Sequence, residues 1–195
     1  MYYKSKKNSS DKLQIAIVWE GFDAGGVDSY LSYLLDTWPH QDTFYIFHNR
    51  ENRGIDRLKK IMSNKSVKFI LVKTIFQHYD SKSKRSLALK YLRHIMSPLL
   101  YLVNIFLYKK KFEGFEFDVL VAQNGGYPGS YAVLSACMAA YLTKINVVCL
   151  VIHHAANPPI LGHRLFRSII EKNLTKKLSS IVAISQATKK TILDN

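Results

Sequence analysis

The sequence predicts an α/β fold, a Rossmann-like three-layer sandwich on a mostly parallel sheet. Short β-branched apolar runs alternate with longer stretches of helical periodicity, the pattern of strands joined by helical crossovers. The strongest runs are apolar almost without interruption, as parallel strands buried on both faces are. The loops after them carry Gly, Asn, Gln and His, and in such sheets the carboxyl ends of strands line the ligand crevice.

Residues 13–19, LQIAIVW, read as the first buried strand, and GFDAGG at 21–26 breaks the chain. Val27, Tyr30, Leu31, Leu34 and Leu35 then share one helical face, which Trp38-Pro39 ends. A strand at 43–47, a charged stretch through Lys60 and a strand at 67–72 follow. After a basic-apolar segment at 82–111 come a strand at 117–122, a helix at 130–142 and a strand at 146–152. A helix at 161–177, a strand at 180–184 and a last helix from about Ser185 close the chain. The expected division is a basic tail at 1–12 and one domain at 13–195, with a basic-apolar helical insertion at 82–111.

At 195 residues, 48% hydrophobic and 22% charged, the chain can bury a sizeable core. Cys137 and Cys149 lie inside apolar runs and read as packing residues, with no disulfide framework and no metal site. MYYKSKKNSSDK lacks the apolar core of a secretory signal, so the reading is cytoplasmic and the Asn-x-Ser/Thr matches at Asn8, Asn64 and Asn173 are incidental. A net charge of +14 calls for an anionic partner: a phosphorylated substrate, a membrane surface or nucleic acid. No helix-turn-helix, RNP-like or zinc pattern accompanies the charge, which argues against nucleic acid.

Three loops carry candidate chemistry. Gly25-Gly26, between the first strand and its helix, allows positive φ and close approach of a ligand to the backbone, and the helix start favours an anion or a polar sugar group. Asp28 in that first turn either suits the helix dipole or accepts from a sugar hydroxyl. Gln123-Asn124-Gly125-Gly126-Tyr127-Pro128-Gly129 follows a strand directly, a constrained loop with Gln123, Asn124 and Tyr127 at its rim. His153-His154 ends another strand before Asn157-Pro158-Pro159, and adjacent residues point to opposite faces, so one of the two faces a cleft. A single parallel sheet brings all three loops to one edge.

The 82–111 segment holds Lys84, Arg85, Lys90, Arg93, Lys109, Lys110 and Lys111, with no acid. Its apolar centre, IMSPLLYLVNIFLY, is shorter than the ~20 residues that span a bilayer. It suits either a helix lying in an anionic membrane interface or a core helix with solvated basic ends. Ser97-Pro98 predicts a break and restart within it. The basic residues Arg164, Arg167, Lys172, Lys176 and Lys177 either extend the same basic surface or form a solvated helix face.

IAIVWEGFDAGGVDSYLSYLL, FDVLVAQNGGYPGSYAVLSACMAA, VVCLVIHHAANPP and SSIVAISQATKKTIL resemble, in order and spacing, the N-terminal domain of GT-B glycosyltransferases of family 4. The resemblance runs roughly over residues 13–193. It implies a nucleotide-sugar donor as co-substrate with no further cofactor, a sugar or lipid-linked sugar acceptor, and a role in surface polysaccharide or glycolipid synthesis at the inner face of the cell membrane. It implies that Gly25 and Gly26 approach the donor diphosphate or the acceptor. Asn124, Gly125 and Tyr127 then lie on the acceptor side, His153 (or His154) contacts the transferred sugar, and Ser185 opens the closing helix. Family members carry a second Rossmann-like domain that binds most of the donor. By that measure a donor-binding domain is absent here, and activity is expected only with a second domain or a separate donor-binding subunit. The alternative is a non-catalytic, membrane-associated binding subunit or a truncated remnant.

Overall fold

The computed structural model describes residues 12–22, 24–62, 66–74, 87–127, 129–156 and 164–194. Six strands form one sheet: β1 (Gln14–Trp19), β2 (Thr43–His48), β3 (Val67–Leu71), β4 (Val119–Asn124), β5 (Val147–Ile152) and β6 (Ser180–Ala183). Their spatial order is β3-β2-β1-β4-β5-β6 and every pairing is parallel. The chain builds outward from β1 to β3, crosses back, and builds outward again from β4. The order therefore reverses between β1 and β4, where doubly wound sheets open a ligand crevice.

The helices are α1 (Gly26–Asp36), α2 (Gly54–Ile61), α3 (Leu87–Phe112), α4 (Tyr131–Leu142), α5 (Arg164–Thr175) and α6 (Gln186–Leu193). Period-two alternation divides the β1 side chains between two cores. Ile15, Ile17 and Trp19 pack with Leu31, Leu35, Ile55 and Leu58 of α1 and α2. Ala16 and Val18 face α3 and α4 in the larger core, with Tyr108, Phe112, Leu134 and Ala136. The charged stretch before Lys60 contains α2, whose two buried side chains, Ile55 and Leu58, make too short a stripe to stand out in sequence. Gly54 begins it because a Cβ there would come within 2.5 Å of the Trp19 ring.

Every residue of α4 from Ala132 to Ala140 is buried, because α3 lies over the face turned away from the sheet. Small side chains permit the approach: Ser135 Oγ sits 3.0 Å from the Tyr101 carbonyl of α3. The segment expected as an insertion at 82–111 thus contributes α3 to the β3–β4 crossover. Helix α3 also runs through Pro98 unbroken, which corrects the break expected at Ser97-Pro98. An interior proline costs ~3 kcal/mol. Burial of Tyr101, Tyr108 and Phe112 on the same helix outweighs it, at about 1.5–3 kcal/mol for each large side chain.

Candidate functional site

Two polar clusters meet the carboxyl edge of β1, β4 and β5, one on each face of the sheet. On the α1 face, Gln123, next to last in β4, stands beside His153, which follows β5. His153 Nε2 lies 2.7 Å from Gln123 Oε1, and Tyr30 of α1 meets the imidazole edge-on with ring centroids 5.2 Å apart. The His153 backbone N–H is held by the Asn124 carbonyl at 3.0 Å. Burial, with His154 adding a like-charge contribution, pushes the His153 imidazole down to about 4, so it is neutral at neutral pH. His154 itself is exposed, and His153 is the member of the pair that turns inward.

The tautomer follows from the hydrogen bond. With Gln123 Oε1 accepting, His153 Nε2 carries the hydrogen and Nδ1 is an acceptor. Gln123 Nε2 is buried with no hydrogen-bond partner among the described residues. Beyond their mutual bond the pair holds one donor, buried at Gln123 Nε2, and one acceptor, His153 Nδ1; turning the amide over exchanges the roles and keeps them complementary. A hydroxyl group both donates and accepts and matches such a pair. A phosphate only accepts.

On the α3–α4 face stands Glu20, one residue past β1, which sequence reasoning passed over. Thr74 Oγ1 donates to its Oε1 at 2.6 Å, and Ser130 Oγ donates to its Oε2. Burial pushes the carboxyl up to about 7, against the two hydroxyl donors and with the help of nearby Glu51. Its signal in the sequence was an acid placed directly between a buried strand and a glycine turn, in WEGFDAGG. Its partners stand 54 and 110 residues away and left no local mark.

The Gly25-Gly26 turn leaves open space: a Cβ added at either glycine meets nothing within 4 Å. Positive φ is not their contribution, however. Gly25 is extended at φ −172°, and Gly129 is the glycine with positive φ among the described residues. The loop before the turn is anchored by Asn49, whose side chain accepts from the Gly21 N–H at 3.0 Å and donates to the Gly21 carbonyl at 2.9 Å.

Several expected contact residues are engaged internally instead. Asp28 is buried; one carboxylate oxygen accepts the Gly25 N–H at 2.5 Å and the other pairs with Arg57 at 3.1 Å. It caps α1, in line with the first of its two readings, and each of its oxygens has a partner within the chain. Asn124 was expected at the loop rim and is buried, its Oδ1 accepting the Ser130 N–H at 2.9 Å. Gly129, at φ +60°, lets the loop close on it, since a Cβ there would stand 2.1 Å from that oxygen. Tyr127 also leaves the rim: it is buried, bridged to Ala156, with the Arg167 guanidinium 5.5 Å from its ring centroid. Arg167 is correspondingly not on a solvated face but buried and paired with Glu171 at 2.5 Å. Gly125 is exposed. Ser185 caps α6, accepting the Thr188 N–H at 3.1 Å.

Of the basic set, Lys84 and Arg85 lie outside the described residues, and Lys90 and Arg93 fall in the first turns of α3, where only the backbone is described. Lys109 pairs with Glu113 at 3.2 Å, Lys110 lies over the Phe106 ring at 5.5 Å, and Lys111 is exposed.

No family model and no curated protein matches the chain. Solved structures match its fold. MurG of Acinetobacter baumannii superposes with a TM-score of 0.52 at 11% identity, over 90% of this chain and 43% of that one. A UDP-N-acetylglucosamine 2-epimerase gives 0.52 at 14% identity, over 94% and 43%. HepE of Anabaena, in complex with UDP and glucose, gives 0.51 at 14% identity, over 93% and 41%. The chain thus spans less than half the length of each, and the likeness shows the fold: one Rossmann-like half of a GT-B architecture.

Proposed function

We propose that the chain is the acceptor-side domain of a nucleotide-sugar-dependent glycosyltransferase that builds a surface polysaccharide or glycolipid, and that it completes its cleft with a second, donor-binding domain or subunit. The observation that carries this is the pairing of Gln123 with His153 at the sheet's switch-point edge, a complementary donor and acceptor fitted to a sugar hydroxyl. The open backbone at Gly25 and Gly26 lets a sugar or diphosphate approach the start of α1. Glu20, poised near neutrality, can exchange a proton within the working pH range. The nucleotide sugars implied by structures of like fold, including one holding UDP and glucose, supply the substrate class. The lysines at the end of α3 face the membrane in this reading and bring the domain to a lipid-linked acceptor.

Saturation-transfer NMR of the full chain with methyl glycosides, UDP and UDP-glucose tests the proposal. Sugar protons are expected to receive saturation, and Gln123→Leu or His153→Ala to abolish it, while turnover of UDP-glucose by the chain alone stays at background. Absence of any sugar contact would overturn the acceptor-side assignment. Rapid transfer by the unaided chain would overturn the divided cleft.

A further inference from the structure

Helix α3 is apolar on both of its faces. Ser97, Tyr101, Asn104, Tyr108 and Phe112 form its buried face. On the opposite side Met96 is 37%, Leu99 52%, Leu102 61% and Phe106 57% exposed. A helix on a water-facing surface normally directs its polar residues outward. Here the inward face carries two phenol rings and a phenyl ring beside an amide and a hydroxyl, and the outward face still carries a thioether, leucine and phenylalanine stripe. The stripe ends in Lys109, Lys110 and Lys111; Lys109 makes a solvent-exposed pair with Glu113, and Lys110 covers the Phe106 ring. The buried face of α3 fits the core-helix reading of the sequence, and the exposed apolar face is the feature that the interfacial reading requires.

We propose that the Met96, Leu99, Leu102 and Phe106 face of α3 inserts into the headgroup–acyl boundary of an anionic bilayer, with the lysines that follow seated on its phosphates. This deepens the membrane-facing part of the proposed function and rests on that reading. Charge selects the occupant. A second copy laid antiparallel would place Lys109, Lys110 and Lys111 against the end bearing Lys90 and Arg93, and a parallel copy would set lysine on lysine. An anionic lipid surface meets the apolar stripe and the cations together, the combination that holds amphipathic helices at an interface. No helix among the described residues is long and apolar enough to cross a membrane, so α3 lies in the interface plane.

Co-sedimentation of the full chain with vesicles of phosphatidylcholine, alone or mixed with phosphatidylglycerol, tests this at low and high salt. Binding is expected with the mixed vesicles only. Leu102→Ser combined with Phe106→Ser should weaken it by on the order of tenfold or more. The triple variant Lys109→Gln, Lys110→Gln, Lys111→Gln should weaken it by on the order of a hundredfold at low salt. Circular dichroism and the urea midpoint of both variants check that the fold is intact. Full binding by the serine double variant would overturn insertion in favour of adsorption by lysines alone. Absence of vesicle binding would overturn the proposal outright. So would a wild-type dimer in sedimentation velocity that the serine variant dissolves, which assigns the face to a second copy. The vesicles carry no sugar, so these outcomes leave the sugar-transfer assignment to its own test.

Discussion

Glu20→Gln should stabilise the protein, and the gain should depend on pH in a defined window. The wild-type carboxyl rises from an ordinary 4.5 to about 7 in the folded chain, chiefly through burial. A folded-state value above the unfolded one means the native protein holds the proton more tightly. The associated stability is present in full below pH 4.5 and is lost as pH rises to 7. At about 1.36 kcal/mol per unit, the 2.5-unit difference between those values amounts to about 3 kcal/mol. Glutamine cannot ionise, fits the same space, and can still accept from one hydroxyl and donate to the other. Variant and wild type should therefore be equally stable near pH 4, diverge through pH 6, and differ by about 3 kcal/mol above pH 8, with the variant ahead. Urea unfolding followed by the fluorescence of Trp19 and Trp38 reads this as a midpoint shift of ~1.5 M at high pH. A stability difference that does not change with pH would refute the reasoning, because it would mean that Glu20 titrates alike in both states.

The glycines should separate sharply by site. Gly129→Ala, at positive φ with its new methyl against Asn124 Oδ1, should cost on the order of 2–4 kcal/mol, whereas Gly25→Ala, extended and open, should cost about 1 or less; equal thermal shifts would contradict the loop geometry. The His153 imidazole, pushed below 6.5 to about 4, should stay neutral in a ¹⁵N-NMR titration until the pH falls below about 5. Because the unfolded chain takes that proton first, its burial should weaken the fold as pH falls from 6.5 to 4, and an ordinary titration near 6.5 would exclude the buried pairing with Gln123. Asp28→Ala removes the α1 cap and the Arg57 pair and should lower stability by roughly 1–2 kcal/mol, where an effect on sugar contact without one on stability would restore a ligand role.

The α/β class, the strand positions and the edge on which the glycine and histidine loops gather were legible in the chain, because they rest on short-range signals. Period-two and period-3.6 hydrophobic patterns need only neighbouring residues, and a glycine between strand and helix needs only its own backbone. Helix α2 escaped because two buried side chains make too short a period, and the unbroken α3 escaped because its packing on α4 outweighs the local preference of Pro98. The roles at the site divided in the same way. That Gly25 and Gly26 open toward solvent followed from residue type and position, as did one histidine of the pair turning inward. That Asp28 and Asn124 are tied up, and that Glu20 gathers Thr74 and Ser130, depended on partners brought in by other strands and helices. The outward apolar face of α3 is of the same kind, since helical periodicity marks two faces and packing alone selects which one is buried. Local chemistry specifies the elements and the polar groups they carry; the path of the chain between distant strands settles which of those groups are already satisfied and which remain available to a ligand.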